Sequence, residues 1–110
     1  VYSIDDVASR HRFLADASVP LEGQGAAAYL DVAGMIAAAR GAGCDAVHPG
    51  YGFLSENPAL ARACREAGLV FVGPHEELLD LFGDKTRARA AAAQHGVPLQ
   101  PGTRGATSLD

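Results

Sequence analysis

Cysteine is scarce, with two thiols, Cys44 and Cys64, among 110 residues. Their spacing fits neither a CxxC redox pair nor a zinc knuckle, so both are expected to be reduced core residues. No apolar run is long enough for a membrane span. Clustered Lys and Arg are also missing: nine basic residues face thirteen acidic ones, for a net charge of -4. With a pI near 5.4, that balance argues against a nucleic-acid surface. Small molecules or proteins remain as partners. Internal repeats and low-complexity tracts are absent, and no acidic pair looks able to hold a metal ion. Val1, Tyr2 and Ser3 lack the charged start and apolar stretch of a signal peptide, so a cytoplasmic setting is expected. A chain that opens without Met reads as truncated or processed.

What is present is the composition of a globular protein, 48% hydrophobic and 20% charged, in a length that allows one modest core. Short apolar runs alternate with helical stretches, the pattern of a layered α/β domain. Residues 1–3 read as the end of a strand, and 13–19 as a short segment of open assignment. Leu30, Val32, Met35, Ile36 and Ala39 recur at helical spacing over 29–40, with Gly41 and Gly43 placed to stop the helix. Residues 45–47 read as a buried strand. Asn57-Pro58 is a helix start, because Asn caps free amides and Pro surrenders one that would be unpaired anyway. That helix turns Leu60, Cys64 and Ala67 inward and ends at Gly68. The apolar run 69–72 is a strand closed by Gly73-Pro74. A short helix over 76–82 follows, then a longer one over 84–95 with Asp84 as its cap and Gly96 as its stop. Residues 97–110, aperiodic and carrying Pro, Gly, Thr and Ser, read as a domain entry or linker.

The segment His48-Pro49-Gly50-Tyr51-Gly52-Phe53-Leu54-Ser55-Glu56-Asn57 leaves a strand and ends at the Asn57 cap. In open α/β sheets, ligands sit beyond the C-terminal ends of strands, where this loop lies. Glycines on both sides of Tyr51 let the loop turn tightly beneath a ligand or a neighbouring domain. Tyr51 offers a flat face and a hydroxyl. The plainer alternative is a tight turn whose Tyr and Phe pack on the core, with His48 a satisfied structural residue.

As a whole, HPGYGFLSEN resembles the segment that marks biotin carboxylases, the subunits or domains of acetyl-CoA, propionyl-CoA and pyruvate carboxylases. The resemblance extends to VYS at 1–3, ADASV at 15–19, YLDV at 29–32, FVGP at 71–74, GDK at 83–85 and GVPLQPGT at 96–103, in the family's order and spacing. It implies a three-layer, Rossmann-like parallel sheet, incomplete at its N-terminus. Residues 1–80 would be part of the N-terminal (pre-ATP-grasp) domain, and 81–110 the first helix and opening of the ATP-grasp region. The implied reaction is ATP-dependent carboxylation of biotin on a carrier protein, with bicarbonate as the carbon source and magnesium offsetting phosphate charge.

By the same resemblance, Lys85 matches the lysine that contacts the nucleotide, and Tyr51 and Glu56 match positions facing the pocket where biotin and bicarbonate meet. Each has a bland counterpart: Lys85 a surface lysine in a first helical turn, Glu56 an acid beside a helix N-terminus. His11 matches the pattern without an assigned role. His75 departs from it, standing where the family has Ser, which puts the cap of the short helix in doubt. The family begins about thirty residues, one strand–turn–helix unit, before Val1, and its nucleotide flap, metal carboxylates, bicarbonate residues and biotin-holding arginine lie past Asp110. No catalytic residue and no metal ligand is therefore expected here, and the chain alone should be inactive. Implied partners are a biotin carboxyl carrier domain, a carboxyltransferase that sets the final acceptor, and further copies in a homo-oligomer. A sheet without its central strand would expose an edge open to pairing. The alternatives are another ATP-grasp ligase resembling carbamoyl-phosphate synthetase, or a noncatalytic α/β docking module.

Overall fold

The structure, a computed structural model, describes residues 1–101. The end of the linker, residues 102–110, and the last two positions of GVPLQPGT lie outside the described residues. The described elements are a 3-10 turn (Ile4–Asp6), α1 (Arg10–Leu14), α2 (Gly25–Tyr29), α3 (Val32–Gly41), β1 (Ala46–Val47), α4 (Pro58–Glu66), β2 (Val70–Phe71), α5 (Glu76–Gly83) and α6 (Lys85–Gln94). β1 and β2 pair in parallel, Ala46 against Val70 and Val47 against Phe71. With α4 between them they form a β-α-β unit, the expected α/β class with a small, incomplete parallel sheet.

The core sits beside this unit. Leu54, Leu60, Cys64 and Leu69 are its buried residues, and Val32, Met35, Ile36, Ala39, Val47, Ala67 and Phe71 pack around them. Leu60, Cys64 and Ala67 thus face inward as their helical spacing requires. α4 is set by its ends. The Asn57 side chain accepts from the Ala59 amide at 2.8 Å, Pro58 occupies the first turn, and Gly68 leaves the helix at φ +74°. Only a residue without a Cβ adopts that last conformation cheaply. Arg62 and Arg65 then reach Glu76 at 3.6 and 3.2 Å, joining α4 to α5 at the surface.

Several expectations are corrected. The strand at 45–47 is not buried: Ala46 and Val70 point away from the core, and Val70 is 63% exposed. The described helices cover the face carrying Val47 and Phe71, so the apolar run 69–72 alternates inward and outward. Cys44 is exposed, whereas Cys64 is buried. Cys44 follows the turn at Gly43 (φ +69°), outside the reach of the helices that bury Cys64. The helix expected over 29–40 is broken at Leu30 and Asp31, so α2 ends at Tyr29 and α3 starts at Val32, which leaves Leu30 half exposed. Residues 10–14 are helical, so of the open segment 13–19 only Phe13 and Leu14 belong to a helix. Residues 1–3 make one parallel bridge, Tyr2 to Pro20, closed by Tyr2 N to Val19 O at 3.1 Å and Leu21 N to Tyr2 O at 2.8 Å.

The radius of gyration is 17.5 Å, with extents of 47 × 32 × 23 Å. A closely packed chain of about 100 residues has a radius near 13 Å. The chain is therefore more extended than a closely packed one of similar length.

Candidate functional site

The loop 48–57 runs from the C-terminal end of β1 to the cap of α4. His48 Nδ1 accepts from the Gly50 amide at 3.1 Å, which leaves Nε2 to carry the proton of the neutral ring. Gly50 has φ +72° and therefore needs glycine. Gly52 does not share that conformation, and a Cβ there would meet nothing within 4 Å. Phe53 is the residue that does: at φ +48° it is the one non-glycine with a positive φ among the described residues. Leu54, 3% exposed, then anchors the loop in the core. The amides of Ser55 and Asn57 donate to Gly52 and Leu54 carbonyls at 2.9 and 3.0 Å.

Between the two left-handed residues, Tyr51 projects fully into solvent. The alternative in which Tyr51 packs on the core is thereby excluded. Glu56 lines an open cleft of about 260 Å³ with Pro74, Leu78, Leu79, Phe82 and Gly83. The cleft joins the end of the loop to one side of α5, and its lining includes neither Tyr51 nor Lys85.

Lys85 is the first residue of α6. Asp84 caps that helix, its Oδ1 accepting from the amides of Thr86 at 2.8 Å and Arg87 at 3.0 Å. Lys85 is exposed and enters no ion pair among the described residues, where the acids near it are engaged by other groups: Asp80 by Arg87 at 2.8 Å and Asp84 by the backbone. His75, at the N-cap of α5, makes no side-chain capping bond, as its departure from Ser implies. His11 Nε2 lies 3.2 Å from the Val1 carbonyl, a local tie. Among the described residues no group of three or more His, Cys, Asp or Glu is disposed to hold a metal, and no helix is long and apolar enough to cross a membrane.

A second cluster went unmarked in the sequence. Tyr29 Oη donates to Asp6 Oδ2 at 2.6 Å and accepts from the Ser3 amide at 3.0 Å. The buried Ser3 hydroxyl is shared between Asp5 at 2.7 Å and Asp6 at 3.1 Å, and Asp5 accepts from the Gly25 amide at 2.9 Å. These bonds hold both carboxyls below the ordinary carboxylate range, Asp5 chiefly through Gly25 and Asp6 chiefly through Tyr29. The Tyr29 ring stacks on Phe53, centroids 5.0 Å apart at 23°.

A β-α-β unit with a parallel sheet and a loop leaving a strand's C-terminal end defines an open-sheet α/β domain, the class in which ligands sit beyond strand ends. Residues 1–79 match the family described as biotin carboxylase, N-terminal domain, and the chain belongs to that family. The pyruvate carboxylase of Bacillus subtilis is 51% identical over 108 residues, covering 96% of this chain and 9% of that protein. Among solved structures, the biotin carboxylase domain of a single-chain bacterial carboxylase superposes with a TM-score of 0.91 at 58% identity, covering 98% of this chain and 25% of that one. Biotin carboxylase from Campylobacter jejuni, solved as a beta-gamma-ATP complex, gives a TM-score of 0.89 at 39% identity over 96% of this chain and 24% of that one. The chain therefore corresponds to a section of a biotin carboxylase, and spans a quarter or less of these relatives.

Proposed function

We propose that this chain supplies two edges of a biotin carboxylase site, a biotin edge at the 48–57 loop and a nucleotide edge at Lys85. The whole protein is then a ligase that carboxylates biotin on a carrier domain with ATP and bicarbonate. The observation that carries this reading is the loop, which commits two left-handed residues to presenting Tyr51 wholly to solvent. A side chain serving only the fold would be packed or replaced by a small polar turn residue.

The residues suit the groups they would meet. The flat face of Tyr51 can lie against a planar ureido ring, and the Glu56 carboxylate can orient basic groups brought by the rest of the enzyme. Lys85 places an exposed cation in the first turn of α6, where the positive end of the helix dipole disfavours it. A bound polyphosphate would reverse that penalty. ATP with magnesium would supply the energy and the charge neutralisation of the reaction, its metal ligands coming from the rest of the enzyme. On this reading residues 1–80 belong to the N-terminal domain and 81–110 open the ATP-grasp region. The carrier and carboxyltransferase domains act as partners and set the acceptor, in a homo-oligomeric assembly. Two unpaired cysteines support a reducing, cytoplasmic setting.

The test uses the carboxylase that carries this chain. ATP hydrolysis should depend on free biotin, a response that neither a carbamoyl-phosphate-type ligase nor a docking module would give. Tyr51→Ala and Glu56→Gln should each impair that hydrolysis and leave nucleotide binding nearly intact. Equal weakening of ATP binding by both changes overturns the assignment of the loop to biotin.

A further inference from the structure

The left-handed backbone of Phe53 is held from outside the loop as well as from within it. A bulky residue at φ +48° is strained, and such strain persists only where surrounding structure over-determines it. Within the loop, the Ser55 amide closes a turn on the Gly52 carbonyl at 2.9 Å, with Phe53 as the first of its two inner residues. From outside the loop, the tether on Phe53 is the stacked ring of Tyr29. That ring is itself fixed at its far end, where the hydroxyl gives a 2.6 Å bond to Asp6 and takes one of 3.0 Å from the Ser3 amide. Asp6 is in turn held by Ser3 and by Ser9, whose hydroxyl donates at 3.0 Å. Residues from the chain start, α2 and the loop thus form one continuous rigid link.

We propose that Tyr29 is a positioning residue for the biotin edge, acting through Phe53 to hold the turn that presents Tyr51. This rests on the reading of the 48–57 loop given above. Tyr29 is 24 residues from Phe53 in sequence and half-buried, so it acts through the stack and touches no substrate. Asp6 and Ser3 serve to keep its ring in place.

The experiment compares three changes in the carboxylase that carries this chain, with KM for free biotin, KM for ATP and kcat measured, and the Phe53 φ read from a crystal structure of each variant. Tyr29→Leu removes the stack. It should return Phe53 to negative φ and raise the biotin KM about tenfold with the ATP KM unchanged, in line with release of one strained residue. Tyr29→Phe keeps the ring and loses the hydroxyl, and should change the biotin KM by only about twofold. Asn tolerates the left-handed region, so in a Phe53→Asn background Tyr29→Leu should have almost no further effect, the sign of a coupled pair. Phe53 remaining at positive φ in Tyr29→Leu overturns the clamp. A parallel rise in both KM values, or an undiminished effect in the Phe53→Asn background, also overturns it by marking a general loss of stability. A relaxed Phe53 with an unaltered biotin KM supports the clamp and overturns instead the assignment of the loop to biotin.

Discussion

Replacing Asn57 by Ala isolates a single local bond that serves both the core helix and the loop before it. α4 has nine residues, too few to be helical in water alone, so its stability rests on Leu60, Ala61 and Cys64 being buried and on its ends being closed. Pro58 has no amide hydrogen, which leaves the Ala59 amide as the first donor needing a partner, and Asn57 Oδ1 meets it at 2.8 Å. Ala59 is exposed, so water replaces the lost acceptor and the cost stays near that of an ordinary cap, about 1 kcal/mol within a range of roughly 0.5–2. For a domain of this size that lowers Tm by about 4–8 °C. Asn57→Asp keeps the acceptor and adds a negative charge at the positive end of the helix, so its Tm should equal or exceed the parent's. Leu60→Ala gives the upper reference, since emptying a side chain that is 2% exposed costs about 2–5 kcal/mol. Circular-dichroism melts at one protein concentration compare all three. Equal losses in the Ala and Asp variants, or an Ala variant that melts with the parent, would refute the capping argument.

In the carboxylase carrying this chain, Lys85→Met should weaken ATP binding by about 1.5–3 kcal/mol, the usual loss of a charged hydrogen bond, with little change for biotin. Unchanged ATP affinity by calorimetry at fixed magnesium and salt returns Lys85 to an ordinary surface role. The Asp5 and Asp6 carboxyls have folded pKa values below their ordinary value of 3.8. Their contribution is therefore complete above that value and is lost as pH falls through the lower folded one. Thermal melts across the acid range should show this loss, and Asp6→Asn should flatten it; an Asp6→Asn profile identical to the parent's rejects the network. The outward face of the sheet, with Val70 63% and Val72 46% exposed, and its open edges should make the 110-residue chain self-associate. Sedimentation should detect this, a concentration-independent monomer would contradict it, and Val70→Lys should reduce it.

Local signals were readable from the sequence, and non-local ones were not. Asn57-Pro58, Asp84, Gly43, Gly68 and Gly96 announce helix ends because a cap or a left-handed glycine acts within a few residues of itself, and each does so here. α2 carries no such signal: Gly25 opens it, and its amide is met by Asp5, twenty positions away in the chain. The split between α2 and α3 was hidden for the same reason, since helical spacing continues across Leu30 and Asp31 while the backbone does not. Cys44 and Ala46 were assigned to the core on residue type, yet burial depends on which face the helices cover. In the loop the glycines were visible, but the non-glycine with a left-handed backbone is Phe53, whose ring stacks on an aromatic partner from another element. Glu56 was singled out by family likeness alone, whereas Lys85 carried one local sign besides, a cation in the first turn of a helix.

The pairing of β1 with β2 around α4 also bears on the order in which the molecule acquires its shape. Every buried residue of the main core lies between Leu54 and Leu69, and its packing shell extends only from Val32 to Phe71. These contacts are short in sequence, so closing them loses little chain entropy. On a ribosome, where segments fold as units while synthesis proceeds, this unit is complete once Phe71 has emerged, before α5 and α6 exist. Its assembly needs nothing from α5 or α6, so the 48–57 turn is set on a finished foundation and Lys85 is added to it afterwards.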